Sequence, residues 1–170
     1  MRIIAGKWRG RKIDAPPGHI VRPTGDRVRE AWMSIVHSQL PDARVLDLCA
    51  GSGALGLEAL SRGAAFCDFV ENSRTVGPLL QANIALLGAE SDSLVHRDEA
   101  AKFARTLHAG AYDIAFADPP YDCTTAHELA EAWLAVPFAH LLGIEHGANV
   151  QLPGGADRRR YGITAITFFR

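Results

Sequence analysis

One stretch of this chain constrains its fold more than any other. The apolar run Val45-Leu46-Asp47-Leu48-Cys49 passes directly into the glycine-rich loop Ala50-Gly51-Ser52-Gly53-Ala54-Leu55-Gly56. The run has the length and character of a buried strand, and a helix-like stretch follows the loop over residues 57–61. A strand, a glycine loop and a helix in this order are typical of a βαβ unit that binds a nucleotide-like ligand. An α/β fold is therefore expected.

The alternation of strand and helix continues beyond this unit. Helices are predicted over residues 74–87, 100–107 and 125–134, and strands at Phe66–Val70, Ser93–His96 and Tyr112–Ala117. Such alternation predicts a Rossmann-like, doubly wound and mostly parallel sheet. A fifth strand is predicted at residues 141–145, while residues 148–152 either extend it or form a loop. Residues 158–161 and 164–169 flank Gly162 and predict a closing antiparallel hairpin.

The N-terminal region predicts a β-hairpin that precedes the main fold. Residues 2–5 and 12–15 flank the turn Lys7-Trp8-Arg9-Gly10, which makes the hairpin tip basic. Trp8, surrounded by basic residues, is the predicted platform for stacking a base, whereas Trp32 is assigned to the core. A helix is predicted over residues 27–39, with Thr24 or Asp26 as its cap.

Charge is distributed unevenly along the chain. The 170 residues carry a net charge of −1, but residues 1–30 hold eight Lys and Arg against three acidic residues. The remainder is acidic, so a basic arm is expected on an acidic body. This asymmetry favours a polyanionic partner, and a phosphate backbone is the simplest candidate. We expect a single domain over residues 1–170, with residues 1–30 as an arm for RNA and residues 41–170 as a catalytic core.

Composition narrows the class of protein. A hydrophobic content of 48% and a charged content of 22% are typical of a soluble globular domain. No apolar run approaches the length of a membrane span, and the three cysteines form no close pair. We therefore expect a cytoplasmic protein with reduced thiols that binds no metal. No obvious association helix is present, so a monomer is expected.

A second motif, Asp118-Pro119-Pro120-Tyr121, directly follows the strand at Tyr112–Ala117. The Asp118 carboxylate and the Pro119 carbonyl are both acceptors, and two converging acceptors suit the two donors of an exocyclic amine. Prolines fix φ and remove backbone donors, so the loop presents acceptors in one rigid shape. Tyr121 offers a flat face on which a base can stack. A simple strand terminator is the competing interpretation.

The glycine loop by itself is compatible with two classes of cofactor. Gly51, Gly53 and Gly56 satisfy the dinucleotide fingerprint, and Glu71 stands 20 residues after Gly51, where an acid for ribose is expected. Asp47, however, lies four residues before the first glycine, where a pyrophosphate would be repelled. An acid at this position suits a cationic ligand such as an amino-acid ammonium group.

Acidic residues also follow the next two predicted strands. Glu71 follows the second strand and can accept hydrogen bonds from both ribose hydroxyls. Asp98 and Glu99 follow the third strand, where either could accept from an adenine amine. Each acid could instead simply cap the helix that follows it, and for Asp98 alone the cap is the favoured interpretation.

Taken together, these motifs resemble those of a known protein family. The likeness lies in five segments of the chain. They are Arg2-Ile3-Ile4-Ala5-Gly6-Lys7-Trp8-Arg9-Gly10-Arg11-Lys12, Arg22-Pro23-Thr24-Gly25-Asp26-Arg27-Val28-Arg29-Glu30-Ala31, residues 47–53, residues 118–121 and Arg160-Tyr161-Gly162. The chain resembles the RsmD family of bacterial small-subunit ribosomal RNA guanine-N2 methyltransferases over nearly its whole length. The resemblance implies S-adenosylmethionine as methyl donor and one guanine of 16S ribosomal RNA, of the guanine-966 type, as target. The RNA is expected either naked or within an assembling 30S particle.

The resemblance also implies roles for individual residues. Asp118, Pro119, Pro120 and Tyr121 are expected to be catalytic. The residues expected to bind the cofactor are Asp47, Ala50, Gly51, Gly53, Glu71, Asn72, Asp98 and Glu99. Those expected to bind RNA are Lys7, Trp8, Arg9, Arg11, Lys12, Arg22, Thr24 and Arg27.

Three other functions compete with this one. A DNA adenine-N6 methyltransferase shares both main motifs, although 170 residues leave little room for a sequence-reading region. A nicotinamide-dependent oxidoreductase is compatible with the glycine fingerprint alone. A non-catalytic RNA-binding assembly factor could retain the fold without turnover.

Overall fold

The computed structural model describes residues 1–16, 23–120, 124–154 and 157–170, except for the side chains of Pro23, Thr24 and Asp26. Five α-helices and seven strands lie in this part of the chain. In order they are α1 (Pro23–Val36), β1 (Arg44–Asp47), α2 (Ala54–Ser61), β2 (Phe66–Val70), α3 (Gly77–Leu87), β3 (Ser93–His96), α4 (Ala100–Ala104), β4 (Tyr112–Ala117), α5 (Thr125–Ala135), β5 (Ala139–Gly147), β6 (Asp157–Tyr161) and β7 (Thr164–Phe169). Short 3₁₀ turns span His37–Gln39 and Glu90–Asp92.

The strands form one seven-stranded sheet in the order β3-β2-β1-β4-β5-β7-β6. Strands β1 to β5 run parallel to one another, and β7 runs in the opposite direction to the other six strands. The chain winds from β1 outward to β3, then returns to the other side of β1 as β4 and winds outward to β5. The order thus reverses between β1 and β4, and ligands of such sheets bind in the crevice at that switch point. The predicted doubly wound sheet with an antiparallel hairpin is confirmed.

Two apolar layers cover the two faces of the sheet. One face packs against α1, α2 and α3, and the other packs against α4 and α5. Trp32 on α1 is fully buried and makes edge-on ring contacts with Phe116 and Phe168. Gly143 on β5 allows this approach, because a Cβ there would lie 2.1 Å from the Trp32 ring. The assignment of Trp32 to the core is confirmed.

The C-terminal part resolves the alternatives left open by the sequence. Strand β5 runs over nine residues and is longer than predicted, while residues 148–152 form a loop. The predicted hairpin is present as β6 and β7. Because β7 is antiparallel to both neighbours, β6 runs in the same direction as β4 and β5.

The helix boundaries differ modestly from prediction. Helix α1 begins at Pro23 rather than at residue 27, because a proline is well tolerated in the first turn of a helix. Thr24 and Asp26, the proposed caps, therefore lie inside the helix. Helices α3 and α4 are shorter than predicted. Within the described ranges, no helix has both the length and the apolar character needed to cross a membrane.

Residues 1–16, here called the N-terminal segment, pack against α2 rather than extending as an arm. Glu58 on α2 is fully buried and accepts hydrogen bonds from the backbone N–H groups of Ile4 at 2.7 Å and Ala5 at 3.0 Å. The Ser61 carbonyl accepts from the Lys7 N–H at 2.8 Å. Gly6 makes this contact possible, since a Cβ there would lie 1.7 Å from the Ser61 carbonyl oxygen. The segment is thus an integral layer of the fold.

The N-terminal segment folds back on itself as a short antiparallel hairpin, as predicted, with Met1 and Ile13 hydrogen-bonded to each other in both directions. Arg2 and Lys12 form an isolated antiparallel bridge, and the Ile3 N–H donates to the Arg11 carbonyl at 3.0 Å. Asn83 on α3 holds the end of the segment, because its amide bonds both backbone groups of Asp14.

The structure contradicts the prediction that Trp8 presents an exposed face for stacking a base. Trp8 is only 8% exposed and belongs to the core beneath α2. Its backbone N–H donates to Ser61 Oγ at 3.0 Å, and the Lys7 ammonium lies 4.3 Å from its ring centre. Burying the large indole removes more apolar surface from water than a surface position would allow, so the ring serves packing.

Candidate active site

The predicted acids come together along the carboxyl edge of the sheet. Asp47 ends β1, Glu71 follows β2, and Asp118 follows β4. In the ladder, Asp47 pairs with Phe69 on one side and with Phe116 on the other. Because parallel strands end at the same edge, the three carboxylates flank the switch point between β1 and β4.

The glycine loop turns the chain sharply from β1 into α2. Gly51 and Gly53 adopt left-handed backbone angles, with φ of +54° and +81°. Gly56 serves close packing instead, because a Cβ there would lie 2.3 Å from the Phe69 ring. The three glycines therefore have the distinct roles that the fingerprint requires of them.

Asp47 is buried beneath this loop. One carboxylate oxygen, Oδ2, accepts from the Gly56 N–H at 3.0 Å and so anchors the first turn of α2. The other oxygen, Oδ1, is buried with no hydrogen-bond partner among the described residues. The pKa of Asp47 is raised to about 7, mainly because the carboxyl group is buried. The hydrogen bond from Gly56 opposes this shift, and the negative charge of Glu71 adds to it. A cationic or hydrogen-bond-donating ligand would satisfy the open oxygen.

Glu71 connects the second strand to the glycine loop. Its Oε2 accepts from the Gly51 N–H at 2.9 Å, and its Oε1 accepts from the Ser73 N–H at 2.7 Å. Each carboxylate oxygen has a second lone-pair site, so the side chain can still accept hydroxyl donors. The carboxylate is thus held in one orientation and remains able to bind a diol.

The acids after β3 are less specialised. Asp98 accepts from the Glu99 N–H at 2.9 Å and from the Lys102 ammonium at 2.9 Å. These hydrogen bonds and the Lys102 charge hold the pKa of Asp98 below its ordinary value. This is the geometry of an acid at a helix start, the interpretation favoured for Asp98 from the sequence. Glu99 and Asn72 are exposed at the same edge.

The Asp118-Pro119-Pro120 backbone leaves β4 beside this crevice. Asp118 retains exposed surface, yet its pKa is raised well above the ordinary value by desolvation and by the charges of Glu145 and Asp47. The desolvation and the two like charges act in the same direction, because each disfavours the ionised carboxylate. Tyr121 lies outside the described residues.

A recess opens next to Asp118 on the side of α5. It is a small recess with a volume of about 40 Å³, and its wall includes the two prolines of the motif and the carboxylate residue Glu145. Glu145 lies near the end of β5, and its Oε2 accepts from the Trp32 indole N–H at 3.5 Å. The lining residues are Pro119, Pro120, Ala126, His127, Glu145, His146 and Val150.

His146 contributes a neutral imidazole to this wall. Its Nδ1 lies 2.9 Å from the Gly147 carbonyl, which can only accept, so Nδ1 carries the proton. Its Nε2 lies 2.7 Å from the Thr167 hydroxyl, which therefore donates. Burial lowers the pKa of His146. The ring is thus fixed by two hydrogen bonds and is not a free acid or base.

Four carboxylates influence one another along the edge. The charge of Glu71 raises the pKa of Asp47, and those of Asp47 and Glu145 raise the pKa of Asp118. Such a row of negative charge favours a ligand that carries positive charge, because a cation relieves the mutual repulsion. No group of His, Cys, Asp and Glu side chains within residues 1–16, 23–120, 124–154 and 157–170 can hold a metal ion.

Two of the basic residues predicted to bind RNA, Lys7 and Arg11, lie away from this site. The Lys7 ammonium pairs with Asp92 at 3.5 Å, and the Arg11 guanidinium donates to the Leu86 carbonyl at 2.7 Å. Asp92 directly precedes β3, and Leu86 lies in the last turn of α3, so both residues are near the amino edge of the sheet. Lys7 and Arg11 are therefore on the side opposite Asp118. Arg9, Lys12 and Arg27 are exposed, while Arg22 and the Thr24 side chain lie outside the described residues.

Sequence reasoning missed the β5 contribution to the site. Glu145 and His146 were not singled out, although Glu145 follows the same rule as Asp47 and Asp118. The rule is that an acid lies at the carboxyl end of a central strand. The signal was present, because the predicted fifth strand ends at residue 145, but residues 148–152 were left as a possible extension of that strand.

Comparison with known proteins agrees with this architecture. A family model described as "Conserved hypothetical protein 95" matches residues 1–169. Ribosomal RNA small subunit methyltransferase D of Escherichia coli K12 is 43% identical over 121 residues, which are 71% of this chain and 60% of that protein. The chain therefore spans less than two thirds of the length of this curated relative.

Solved structures extend the comparison to the whole chain. The structure of yhhF from Escherichia coli superposes with a TM-score of 0.85 at 34% identity, covering 99% of this chain and 96% of that one. A 16S rRNA N2 G1207 methyltransferase from Thermus thermophilus, in complex with AdoMet and guanosine, has a TM-score of 0.68. It is 16% identical and covers 89% of this chain and 44% of its own, so its likeness concerns the fold alone.

Proposed function

Because this chain belongs to the family described as conserved hypothetical protein 95, the RsmD family, we propose that it methylates small-subunit ribosomal RNA. The methyl group comes from S-adenosylmethionine, and the acceptor is the N2 amine of a guanine. The observation that carries the proposal is the placement of Asp118 and Pro119. Both lie at the switch point, between the glycine loop and the recess beside β5.

The residues around the glycine loop fit this cofactor. Asp47 Oδ1 is buried without a partner among the described residues, and it suits the ammonium group of the methionine moiety. Glu71, already oriented by Gly51 and Ser73, suits the ribose hydroxyls. When bound, the cofactor supplies a methyl group on a positively charged sulfur, which is a good leaving group. Ala50, Gly51, Gly53, Asn72, Asp98 and Glu99 complete the proposed contact set.

Asp118 and Pro119 have the task of orienting the acceptor amine. The lone pair of a guanine amine is delocalised into the ring, so the amine is a poor nucleophile. Hydrogen bonds from its two protons to the Asp118 carboxylate and the Pro119 carbonyl favour a pyramidal nitrogen with a directed lone pair. The raised pKa of Asp118 also makes its carboxylate a better acceptor for the departing proton. Tyr121 is proposed to stack on the base.

Glu145 supports guanine rather than adenine as the target. Guanine presents an N1–H donor next to its N2 amine, whereas adenine presents an N1 acceptor next to its N6 amine. A carboxylate beside the Asp118-Pro119 loop accepts from the guanine N1–H and is repelled by the adenine N1 lone pair. Glu145 lines the recess on that side of the loop. This contact separates the proposal from an adenine-N6 methyltransferase.

Hydrogen bonding within the loop disfavours a dinucleotide cofactor. The Gly51 N–H donates to Glu71, and the Gly56 N–H donates to Asp47. In a dinucleotide site, backbone donors at this position face a pyrophosphate. Here they face carboxylates, and a second anion would be repelled.

The proposal is tested by methyl transfer from labelled S-adenosylmethionine. The substrates are unmodified small-subunit RNA, assembled small subunits lacking the modification, and duplex DNA, each digested to nucleosides afterwards. We expect label in N2-methylguanosine, and mapping of the label tests the guanine-966 assignment. The better of the two RNA substrates indicates whether the natural partner is naked RNA or an assembling particle. Light scattering of the purified chain tests the expected monomer.

Two results would contradict the proposal. Label in N6-methyladenine from DNA would establish the competing methyltransferase. Calorimetric binding of S-adenosylmethionine without label in any substrate would instead favour a non-catalytic assembly factor.

A further inference from the structure

We propose that the hairpin formed by β6 and β7 binds the phosphates of the RNA strand next to the target nucleotide. The inference rests on the proposed function, and it adds a contact surface that the basic N-terminal segment does not supply. Its central residues are Arg158 and Arg160, on the outer strand of the sheet.

The strand register places this hairpin level with the active site. Arg158 pairs with Thr167, which pairs with Ile144, which in turn pairs with Ala117 at the end of β4. Asp118 follows Ala117, so Arg158 lies at the depth of the catalytic loop and Arg160 lies beyond it. Three strand spacings separate β6 from β4, or roughly 14 Å. A few nucleotides of single-stranded RNA span that distance.

Positive charge is concentrated on this edge against the trend of the chain. Residues 31–170 hold ten basic and sixteen acidic residues, yet four arginines meet a single carboxylate here. Asp157 pairs with Arg159 at 3.2 Å and with Arg170 at 2.7 Å, which offsets part of their charge. Arg158 and Arg160 have no carboxylate partner among the described residues.

Arg158 and Arg160 are oriented by neutral groups that leave their charge intact. The Arg158 guanidinium donates to the Ala148 and Val150 carbonyls, and Val150 lines the recess beside Asp118. Arg160 Nε donates to the Gly162 carbonyl at 2.9 Å. The remaining guanidinium donors can bind phosphate oxygens, and their pre-orientation reduces the entropy lost on binding.

The tip of the hairpin extends the same surface beyond the sheet. The Ala148 N–H donates to the Ile163 carbonyl at 2.8 Å and ties the tip to the loop after β5. The Ile163 side chain is 70% exposed, more than any other large aliphatic side chain among the described residues. A ribose or base packed against it would cover that surface while the arginines hold the flanking phosphates.

A structural role for these arginines makes a different prediction. Charged side chains on an outer strand also prevent edge-to-edge pairing of sheets. If the arginines had only that role, replacing them with neutral residues would leave RNA affinity unchanged and would make the protein aggregate. Binding of an acidic protein would likewise leave the affinity for naked RNA unchanged.

The test compares Arg158→Gln/Arg160→Gln with Arg158→Lys/Arg160→Lys and with the single variant Arg105→Gln. Arg105 is exposed at the C-terminal end of α4, where it lies 4.0 Å from Glu128 on α5, and it serves as the control outside the hairpin. Binding to a labelled small-subunit RNA fragment is measured by fluorescence anisotropy at several salt concentrations, with melting temperature as the check on folding. For the glutamine variant we expect about tenfold weaker binding and a logarithmic salt slope smaller by about two. The lysine variant and Arg105→Gln should bind like wild type.

The possible failures can be told apart. If the wild-type protein methylates RNA while the glutamine variant binds with unchanged affinity and slope, the inference is overturned and the proposed function stands. If affinity falls only for assembled subunits and not for naked RNA, the surface contacts protein and the inference is overturned too. If the variants behave as expected but wild type transfers no methyl group, the proposed function alone fails.

Discussion

At the scale of single residues, the site is a set of carboxylates in three different surroundings. Asp47 is buried, Glu71 is held by two backbone donors, and Asp118 experiences two like charges. The same residue type therefore serves three tasks.

Asp118→Ala should reduce kcat by about 10² to 10³-fold, because one of the two groups that orient the amine is lost. Cofactor affinity, measured by calorimetry, should stay within about twofold of wild type, since Asp118 lies on the substrate side. Glu90→Ala, an exposed carboxylate at the amino edge, is the control and should retain full activity. Equal turnover of Asp118→Ala and wild type would remove Asp118 from the mechanism.

Glu145→Gln should shift the acid limb of the pH–activity profile to lower pH. The negative charge of Glu145 raises the pKa of Asp118, so removing that charge lowers this pKa and keeps the carboxylate ionised at lower pH. The measurement is kcat/KM for RNA between pH 5 and 9. An acid limb at the same pH in the variant and in wild type would show that Asp118 does not titrate in turnover.

Asp47→Asn should flatten part of the dependence of stability on pH. The pKa of Asp47 is about 7 in the fold, against an ordinary value of 3.8, so the folded state binds more protons between these values. Stability contributed by protonated Asp47 is present at low pH and lost as pH rises towards 7, by at most about 4 kcal/mol. Urea unfolding at pH 5 and pH 8 should show wild type losing more stability than the variant. Parallel losses would contradict the shift.

At the scale of elements, α2 has two functions. Its first turn is anchored by Asp47, and its last turn holds the N-terminal segment through Glu58 and Ser61. Glu58 is fully buried and is satisfied by two backbone donors and by Arg62 Nε at 2.8 Å. This one carboxylate therefore joins the N-terminal segment to the catalytic core.

Glu58→Gln should destabilise the fold by about 2 to 4 kcal/mol. An amide offers one acceptor oxygen where the carboxylate offers two, so a buried N–H of Ile4 or Ala5 loses its partner and Arg62 loses its counter-charge. Urea unfolding gives the free energy, and the exposed Glu131→Gln on α5 is the control. A change below about 0.5 kcal/mol would mean that the segment docks mainly through its apolar side chains.

At the scale of the whole molecule, positive charge occupies two opposite edges of the sheet. Lys7, Arg9 and Arg11 belong to the layer that packs on the last turn of α2, near the amino edge, whereas Arg158 and Arg160 lie level with Asp118. The turn that carries Lys7, Arg9 and Arg11 packs against Ser61 at the end of α2, and the glycine loop precedes the start of that helix, which has eight residues and is about 12 Å long. Only an extended RNA can touch both edges.

Neutralising Lys7, Arg9 and Arg11 with glutamine should therefore have an effect that depends on RNA length. Affinity for long small-subunit RNA should fall and its salt slope should decrease, because phosphate contacts are lost. Affinity for a short hairpin that contains only the target region should change little. Anisotropy titrations with both RNAs make the comparison. An equal loss of affinity for both RNAs would mean that the turn carrying Lys7, Arg9 and Arg11 lies close to the active site in the complex.

Local pattern was enough to predict the architecture and most of the candidate site. The Tyr112–Ala117 strand, the fingerprint glycines and the acids after the strands were all predicted, because periodicity and turn chemistry act over a few residues. Asp47 and Gly56 came together as expected of a strand and the helix that follows it. The boundary of β5 was less clear, since a strand buried on both faces carries no alternation.

The sequence by itself thus determined the order of the elements, the switch point and which residues carry acceptors at the carboxyl edge. The tertiary structure decided the burial of Trp8, the docking of the N-terminal segment and the proximity of Glu145 to Asp118. Trp8 and Ser61 are 53 residues apart in the chain, and Trp32 and Glu145 are 113 apart. Contacts at such separation depend on how the layers pack. A tryptophan among basic residues can face solvent or core, and only the available apolar surface selects between them.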